Sequence, residues 1–227
     1  MTVCVTGPMA AGKNTVSAML EGMEWQGMGF AAADADKFAH TAIGRCTEEI
    51  TAAFGGTAAE LGIALINADG SVNRRNLGAI LFSRPELLQK QEAIVFPHVQ
   101  LMCEQFIAEQ KSAVPPRHAI LNATVLHKIP VIADCDIILY VDAPLFVRLW
   151  RARRRDGIRV PQLLARFRAQ RKLFSKYRSA NADIYRVWNA GSPDALRKRV
   201  REVLLRHHEE TETWTQQQHS THSSRSH

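Results

Sequence analysis

The sequence predicts an α/β fold in which helices cover both faces of a doubly wound parallel sheet. Two observations carry this prediction. Short apolar runs of strand length alternate along the chain with longer stretches of helical periodicity, as βαβ units require. The first apolar run, Val3-Cys4-Val5, leads through a glycine-rich turn directly into a helix-patterned stretch. In such folds ligands bind at the carboxyl ends of the strands, so the functional residues are expected there.

The glycine-rich turn has the pattern G-x-x-x-x-G-K of a phosphate loop, and its residues are Gly7, Pro8, Met9, Ala10, Ala11, Gly12 and Lys13. The glycines permit a tight turn and a close approach to the ligand, and the N–H groups at the helix start attract phosphate oxygens. Lys13 supplies a cation for the outer phosphates. The motif places Ser or Thr next, as a Mg²⁺ ligand, but this chain has Asn14 followed by Thr15. An amide oxygen can also coordinate Mg²⁺, so Asn14 and Thr15 are the predicted metal ligands. A glycine-rich turn without a ligand is the alternative.

The other elements follow from apolar periodicity and from turn residues. The predicted strands lie at 3–6, 29–33, 118–122, 136–141 and 184–188. The predicted helices lie at 15–22, 37–54, 145–155, 161–177 and 193–206, the second of them stopping at Gly55-Gly56. Residues 57–110 are predicted to be mainly helical, with a turn at Asp69-Gly70 and a break near Phe96-Pro97. The segment 207–227 lacks aliphatic residues and is predicted to be disordered.

Bulk properties narrow the class of protein. A chain of 227 residues suits one α/β domain with inserted helical segments. It has no apolar run of membrane-spanning length and no charged or cleavable leader, so no membrane partner and a cytoplasmic location are expected. The four cysteines form no C-x-x-C pair, which argues against a zinc site and against a disulfide framework.

The net charge of +7 is concentrated in one segment. Residues 148–178 hold twelve Arg and Lys against the single acid Asp156, so the rest of the chain is near neutral. Local basicity beside a phosphate loop indicates that the segment handles a polyanion. Arg151 and Arg155 lie four apart on one helical face, where they could close over ATP, although about half of such charges form a solvated surface. A nucleic-acid-binding helix pair is the alternative, and sparse aromatic residues argue against it.

Polar residues follow the second and third predicted strands. Asp34 and Asp36 are two apart on what is expected to be extended chain, so both should point to one side. One can accept a hydroxyl proton while the other helps to hold hydrated Mg²⁺, and Asp36 is favoured as the base because it is nearer the helix start. The alternative is that one aspartate only caps the following helix. Asn122 ends the third strand.

These features together resemble the dephospho-CoA kinase family, whose members transfer the γ-phosphate of ATP to the 3′-hydroxyl of dephospho-CoA, the last step of coenzyme A synthesis. The resemblance covers about residues 1–205. The matching motifs are Val5-Thr6-Gly7 through Thr15-Val16-Ser17, Asp34-Ala35-Asp36 with Ala39-His40, Phe54-Gly55, Asp69-Gly70-Ser71-Val72-Asn73-Arg74 with Leu77 and Phe82, Val141-Asp142, Arg151 with Arg155, Gln170, Ala182-Asp183 and Asn189-Ala190-Gly191-Ser192.

The resemblance implies a kinase-like domain at 1–206 with three parts. They are a five-stranded nucleotide-binding core (1–56, 113–146 and 181–206), a helical coenzyme-A-binding part (57–112) and a lid (147–180). It also implies ATP with Mg²⁺, and dephospho-CoA as the small-molecule substrate of a monomer or weak homo-oligomer without nucleic acid. Implied catalytic residues are Asp36, Lys13, Arg151 and Arg155. Implied nucleotide contacts are the loop residues together with Asn14, Thr15, Asn189, Gly191 and Ser192, and implied acceptor contacts are Asp34, His40, Arg74 and Asn122.

The chain departs from the family pattern at three places. The loop lacks the usual Gly-Gly-Ile-Gly-Ser-Gly-Lys-Ser-Thr, the helical part has Phe96-Pro97 in place of His-Pro, and the third-strand signature Asp-x-Pro-Leu-Leu-x-Glu runs here from Asn122 to Lys128. Lys128 reverses a charge in the expected acceptor region. Two further readings therefore stay open, a degenerate nucleotide or CoA binder with little turnover, and a nucleoside or nucleotide kinase with another acceptor.

Overall fold

The computed structural model describes residues 1–156, 160–178 and 182–223. Within these residues the fold is built on a six-stranded sheet of order β2-β3-β4-β1-β5-β6. Its strands are β1 (Thr2–Thr6), β2 (Glu24–Trp25), β3 (Met28–Asp34), β4 (His118–Asn122), β5 (Ile137–Asp142) and β6 (Asp183–Trp188). Five strands are parallel, which confirms the predicted doubly wound sheet.

The sixth strand was missed from the sequence. β2 has two residues and pairs antiparallel with β3 at the edge of the sheet. The turn between them contains Gln26 and Gly27, both with positive φ (51° and 73°), the backbone that a two-residue hairpin turn needs. A two-residue strand is too short for apolar alternation to reveal it.

Nine helices flank the sheet in the described residues. They are α1 (Lys13–Glu21), α2 (Ala35–Arg45), α3 (Thr47–Glu60), α4 (Arg74–Ser83), α5 (Pro85–Ser112), α6 (Leu145–Asp156), α7 (Val160–Ala169), α8 (Leu173–Tyr177) and α9 (Pro193–Ser223). The core lies on both faces of the sheet. One face packs Cys4, Leu121 and Ile138 against α2 to α5, and the other packs Val5 and Leu139 against α1 and α9. None of the described helices combines the length and the apolar character that a membrane span needs.

Packing overrides two predicted helix ends. The predicted helix 37–54 is two helices, α2 and α3, and α3 runs through Gly55-Gly56 because Phe54 and Ala58 are both buried on its inner face. Helix α5 likewise continues through Pro97, although proline removes one backbone donor. Its buried residues on either side of Pro97, Val95 and Val99, hold the helix against the core.

The predicted disorder from residue 207 is wrong for 207–223, because α9 extends to Ser223. Leu196, Val200 and Leu204 form its buried stripe. Beyond them the helix contacts β6 through polar pairs, in which the Tyr185 hydroxyl donates to Glu210 and His207 Nδ1 lies 3.1 Å from Asp183 Oδ2. Residues 224–227 of the predicted tail lie outside the described residues.

The predicted lid corresponds to α6, α7 and α8, with residues 157–159, including Arg159, and 179–180 outside the described residues. The helix predicted at 161–177 is interrupted by a turn after Ala169. Ala152, Leu163 and Phe167 form a small core of their own, and Met9 and Ala10 of the phosphate loop pack against it. The lid helices are therefore attached to the loop by apolar contacts.

Candidate active site

The phosphate loop joins β1 to α1, and its two glycines are required by close contacts. Gly7 has φ 147°, and a Cβ there would lie 2.0 Å from the Val141 carbonyl oxygen. Gly12 has φ 100°, and a Cβ there would lie 2.0 Å from Asn189 Nδ2. Gly12 also caps α1 without any side-chain hydrogen bond to the first helical N–H groups. The first N–H groups of α1 therefore receive no side-chain cap from Gly12, and their binding of a phosphate stays a prediction.

Lys13 begins α1 and is partly buried. Burial lowers the pKa of Lys13 below its ordinary value of 10.5, and Arg155 and Arg148 lower it further. Asp36 and Asp34 act in the opposite direction and raise the pKa. An ammonium group that is desolvated and flanked by cations gains strongly from a bound polyanion, so its surroundings favour a phosphate ligand.

The two aspartates have different local roles. Asp34 ends β3 and caps α2, because its Oδ1 accepts hydrogen bonds from the N–H groups of Asp36 (3.1 Å) and Lys37 (3.3 Å). The capping alternative therefore holds for Asp34. Asp36 lies in the first turn of α2, so the extended-chain spacing predicted for the pair is wrong. Its carboxylate accepts from the backbone N–H (3.4 Å) and the hydroxyl (3.3 Å) of Thr124.

Two adjoining cavities gather most of the predicted site. A cavity of about 490 Å³ is lined by Lys13, Asn14, Asp34, Asp36, Asn122 and Arg155, together with Thr124 and Gln170. A second, of about 270 Å³, is lined by Gly12, Lys13, Asn14, Thr15, Arg151 and Arg155. The two share Lys13 and Arg155, so a ligand that extends from one to the other passes both cations. A larger cavity, of about 600 Å³, lies between β6 and α9 and contains none of these residues.

Asn14 contacts Asn122 across the site. Asn122 Nδ2 donates to Asn14 Oδ1 at 2.8 Å, so the oxygen predicted to bind a metal already accepts a hydrogen bond. The carboxylates of Asp34 and Asp36 also line this cavity. Mg²⁺ is commonly held by one or two carboxylates, waters and substrate phosphates, and the side chains present fit that mode. Thr15 is exposed and lines the second cavity.

His40 and Arg74 lie together, but apart from the other predicted acceptor residues. They line a cavity of about 480 Å³ between α2 and the start of α4, with Asn73 and Arg75. Asn73 caps α4 by accepting from the N–H of Asn76 at 3.0 Å. Asp34 and Asn122 face the phosphate-loop cavity instead.

Arg151 and Asn189 hold the loop from the side of α6 and β6. Asn189 is buried, and its Nδ2 donates to the Ala11 carbonyl at 2.8 Å. Arg151 reaches the same carbonyl at 3.4 Å and the Asn189 side-chain oxygen at 3.5 Å. Ser192 Oγ accepts from the N–H of Ala195 at 3.2 Å, in the first turn of α9, and Gly191 has φ 115°. Contacts of Asn189, Gly191 and Ser192 with a nucleotide stay a prediction.

The structure shows three further residues at the site whose contacts are not predicted from the sequence: Gln170, Arg148 and Thr124. Gln170 Oε1 accepts from the Met9 N–H at 2.7 Å, and Arg148 Nε donates to the Met9 carbonyl at 3.0 Å. Thr124 holds Asp36. In the sequence, Gln170 is indicated only as part of a family motif, and Arg148 is indicated only as one charge in the basic segment 148–178. Thr124 lies two residues after the end of β4, so its position near the site could be predicted but its contact with Asp36 could not.

The charge reversal at Lys128 is neutralised within the protein. Lys128 pairs with Glu92 of α5, and their side chains are 31% and 20% exposed. The lysine therefore joins the segment after β4 to the helical part, and its charge is not left open toward the cavity.

Comparison with known proteins agrees with this geometry. Residues 1–192 match the family model described as CoaE, dephospho-CoA kinase. The chain is 35% identical over 203 residues to a dephospho-CoA kinase of Treponema pallidum, covering 89% of this chain and 93% of that protein. It is 36% identical over 203 residues to a dephospho-CoA kinase of Treponema denticola, covering 89% and 88% of the two chains.

Solved structures show the same fold. A crystal structure from Thermus thermophilus aligns with a TM-score of 0.71 at 27% identity, covering 91% of this chain and 97% of that chain. The dephospho-CoA kinase of Campylobacter jejuni aligns with a TM-score of 0.61 at 21% identity, covering 90% and 95%. The phosphate loop, the aspartates where β3 meets α2 and the matched family model lead to one conclusion: this chain belongs to the dephospho-CoA kinase family.

Proposed function

We propose that this chain transfers the γ-phosphate of ATP to the 3′-hydroxyl of dephospho-CoA, with the reacting groups in the cavity that Lys13, Asp36 and Arg155 line. The observation that carries the proposal is the meeting of a phosphate loop, a carboxylate and lid arginines in one cavity at the carboxyl ends of β1, β3 and β4. Family membership supplies the acceptor, because the relatives in both Treponema species are named for it.

Binding of the triphosphate falls to the loop and its lysine. The N–H groups of the loop and of the first turn of α1 face the phosphates, and Lys13 neutralises the outer ones. Its lowered pKa supports this role, since the positive charge of Lys13 is unfavourable in the empty site and favourable beside phosphate. Arg155 lines both cavities and adds a charge that can follow the phosphoryl group during transfer.

Asp36 is the proposed base. It accepts the proton of the attacking hydroxyl while that oxygen bonds to the γ-phosphorus and the bond from phosphorus to the bridging oxygen breaks, releasing ADP. Thr124 holds the carboxylate through two hydrogen bonds, which fix its direction. The two hydrogen bonds that position the carboxylate thus come from neutral donors, and Lys13 lines the same cavity.

A magnesium ion would be held by Asp34 or Asp36, by Asn14 through water, and by the phosphates. When bound, it supplies positive charge that offsets the charge of the phosphate oxygens. Asn14 and Asn122 give the site two amides where the family pattern has a hydroxyl and a carboxylate. Among the residues that line the cavity, only Asp34 and Asp36 would therefore contribute negative charge at the metal.

The acceptor is proposed to extend from this cavity toward His40 and Arg74, where Arg75 adds a second guanidinium for the phosphates of the coenzyme. Closure of α6 to α8 over the nucleotide would exclude water and limit ATP hydrolysis. Oligomeric state remains a prediction.

The proposal is tested by a coupled assay of ADP release with dephospho-CoA, nucleosides and nucleoside monophosphates, each with and without Mg²⁺. We expect Mg²⁺-dependent turnover with dephospho-CoA. The Asp36→Asn variant should lower kcat about 10²-fold or more, as loss of a general base does, while the Kd of an ATP analogue changes less than about threefold. Asp134→Asn, which removes an exposed acid elsewhere, is the matched control.

Three outcomes would contradict the proposal. Near-normal turnover of Asp36→Asn would remove Asp36 from the chemistry. Turnover with a nucleoside in place of dephospho-CoA would change the acceptor. Nucleotide binding without ADP release for any acceptor would identify the chain as a binding protein that has lost its activity.

A further inference from the structure

A separate cavity lies between the outer side of the phosphate loop and the lid helices. It encloses about 250 Å³, and its walls come from β5, β6, α6, α7 and α8 together with Pro8 of the loop. Its charged lining consists of Arg148, Arg168, Arg171, Arg186 and Asp142. Neither Lys13 nor Asp36 lines it, and Gln170 is the residue that it shares with the phosphate-loop cavity. We propose that this cavity is a second anion site, which takes a small tetrahedral oxyanion such as inorganic phosphate.

The charge of the lining is unbalanced. Four guanidinium groups face one carboxylate, so the described lining carries an excess of three positive charges. That carboxylate, Asp142, already accepts from the N–H of Ala143 at 2.9 Å and lies 3.8 Å from Arg186 Nε. Like charges in a partly dehydrated space repel, and a doubly charged oxyanion would remove most of that repulsion.

Arg148 is the innermost of the four. Its guanidinium lies 4.4 Å from the centre of the Phe167 ring, and its Nε donates to the Met9 carbonyl. Its Nη2 is buried and has no hydrogen-bond partner among the residues that the structure describes. Burial lowers the pKa of Arg148, and Asp142 and Tyr140 oppose that effect. A buried donor of this kind is costly unless it finds an acceptor, and an oxyanion is the acceptor that the surrounding charges select.

Arg186 also packs against aromatic rings, and its side chain is 52% exposed. Its guanidinium lies 4.6 Å from the centre of the Phe174 ring and 5.9 Å from that of Tyr140. Stacking uses the face of a guanidinium and leaves its in-plane N–H donors available for an anion. Arg168 and Arg171 are exposed and complete the lining from α7 and the turn that follows it.

The volume of the cavity, about 250 Å³, indicates which anions it can hold. Sites for drug-sized ligands enclose about 300–1,000 Å³, so a second nucleotide is too large for this one. Phosphate or sulfate fits with room for a few waters, each of which occupies about 30 Å³. A bound oxyanion would join the core strands β5 and β6 to the lid. It would also stabilise the loop, because Gln170 accepts from the Met9 N–H and Arg148 donates to the Met9 carbonyl.

The test is calorimetric titration of inorganic phosphate into the full chain saturated with a non-hydrolysable ATP analogue, at constant ionic strength. The analogue fills the phosphate loop, so any phosphate bound must lie elsewhere. We expect a phosphate site that depends on the arginines of this cavity. The double variant Arg168→Gln/Arg171→Gln should weaken binding about tenfold or more, as loss of charge-assisted hydrogen bonds does. The matched control is Arg153→Gln/Arg197→Gln, which removes two exposed charges that do not line the cavity, and should change Kd less than about twofold.

Thermal unfolding gives a second readout. Phosphate should raise the Tm of the analogue-saturated protein, and less so for the Arg168→Gln/Arg171→Gln variant. The proposal is overturned if phosphate binds only when the nucleotide analogue is absent, or if no binding occurs at millimolar phosphate. It is also overturned if the control pair loses as much affinity as the test pair, since nonspecific attraction to a basic surface would then explain the binding.

Discussion

Reversal of the charge at Lys128 tests how the helical part is held against the core. The Lys128 ammonium pairs with the Glu92 carboxylate across 36 positions of sequence, and the two side chains are only 31% and 20% exposed. In the variant Lys128→Glu, which restores the acid of the family signature, two carboxylates would face each other at the same place. The change removes an attraction and adds a repulsion of similar size.

The magnitude follows from distance and exposure. Two unit charges about 4 Å apart interact by about 1 kcal/mol in water and about 4 kcal/mol at an effective dielectric constant of 20. Fully exposed pairs are worth about 0.2–1 kcal/mol, and this pair is largely shielded. We therefore expect Lys128→Glu to lower the free energy of unfolding by about 2 kcal/mol. For a chain of this size that corresponds to a fall in Tm of roughly 4–8 °C.

Urea and thermal unfolding provide the assay. Lys128→Gln should lose about half as much stability as Lys128→Glu, because it removes the attraction without adding repulsion. The exchange Glu92→Lys/Lys128→Glu should restore most of the loss. The reasoning is refuted if Lys128→Glu is as stable as the native chain, or if the exchanged pair is no more stable than Lys128→Glu alone.

Two further substitutions test the loop and a buried imidazole. Gly12→Ala should lower both ATP affinity and Tm, because it adds about 1–2 kcal/mol of backbone strain and pushes a Cβ to 2.0 Å from Asn189 Nδ2. Gly27→Ala is its control, with φ 73° but no neighbour within 4 Å, and equal Tm losses in the two variants would contradict the contact. Burial, with Lys176 and Lys128, lowers the pKa of His127 to about 4, so the unfolded chain takes up a proton where the native chain does not. Stability should therefore fall by at most about 3 kcal/mol as pH drops from 6.5 to 4, and His127→Phe should flatten that slope in urea titrations; unchanged slopes would refute it.

The parts of the site that depend on local chemistry could be predicted from the sequence. The pattern from Gly7 to Lys13 identified the loop, because glycines at those places serve close backbone approach whatever surrounds them. The ends of β3 and β4 were found from their apolar runs, and the residues that follow them do meet at the edge of the sheet. The sequence predicts that Asp34 and Asp36 lie near the phosphate loop, and both line its cavity. The reason given, an extended chain through both residues, is wrong because Asp36 belongs to a helix.

The parts that depend on tertiary packing could not be predicted. Gly55-Gly56 and Pro97 are local signals for helix ends, and buried neighbours such as Phe54 and Val95 outweigh them. The helix continues past residue 207, where His207 and Glu210 contact β6, and a polar composition does not reveal these contacts.

Hydrogen bonds between residues that are distant in sequence could not be predicted either. The hydrogen bond between Asn14 and Asn122 joins residues 108 positions apart, and the hydrogen bond between Met9 and Gln170 joins residues 161 positions apart. Each residue alone is an ordinary amide. Only the fold brings these residues together, so the two hydrogen bonds could not be predicted from the spacing of the sequence.

Nucleotide affinity of the Lys13→Ala variant tests the central claim most directly. In calorimetric titrations with ATP and Mg²⁺, the native chain should bind one nucleotide, and Lys13→Ala should bind it at least about tenfold more weakly, as loss of a charge-assisted contact to phosphate does. Arg153→Ala, which removes an exposed charge from α6, should bind ATP as the native chain does. Failure of the native chain to bind ATP, or unchanged affinity in Lys13→Ala, would contradict the account.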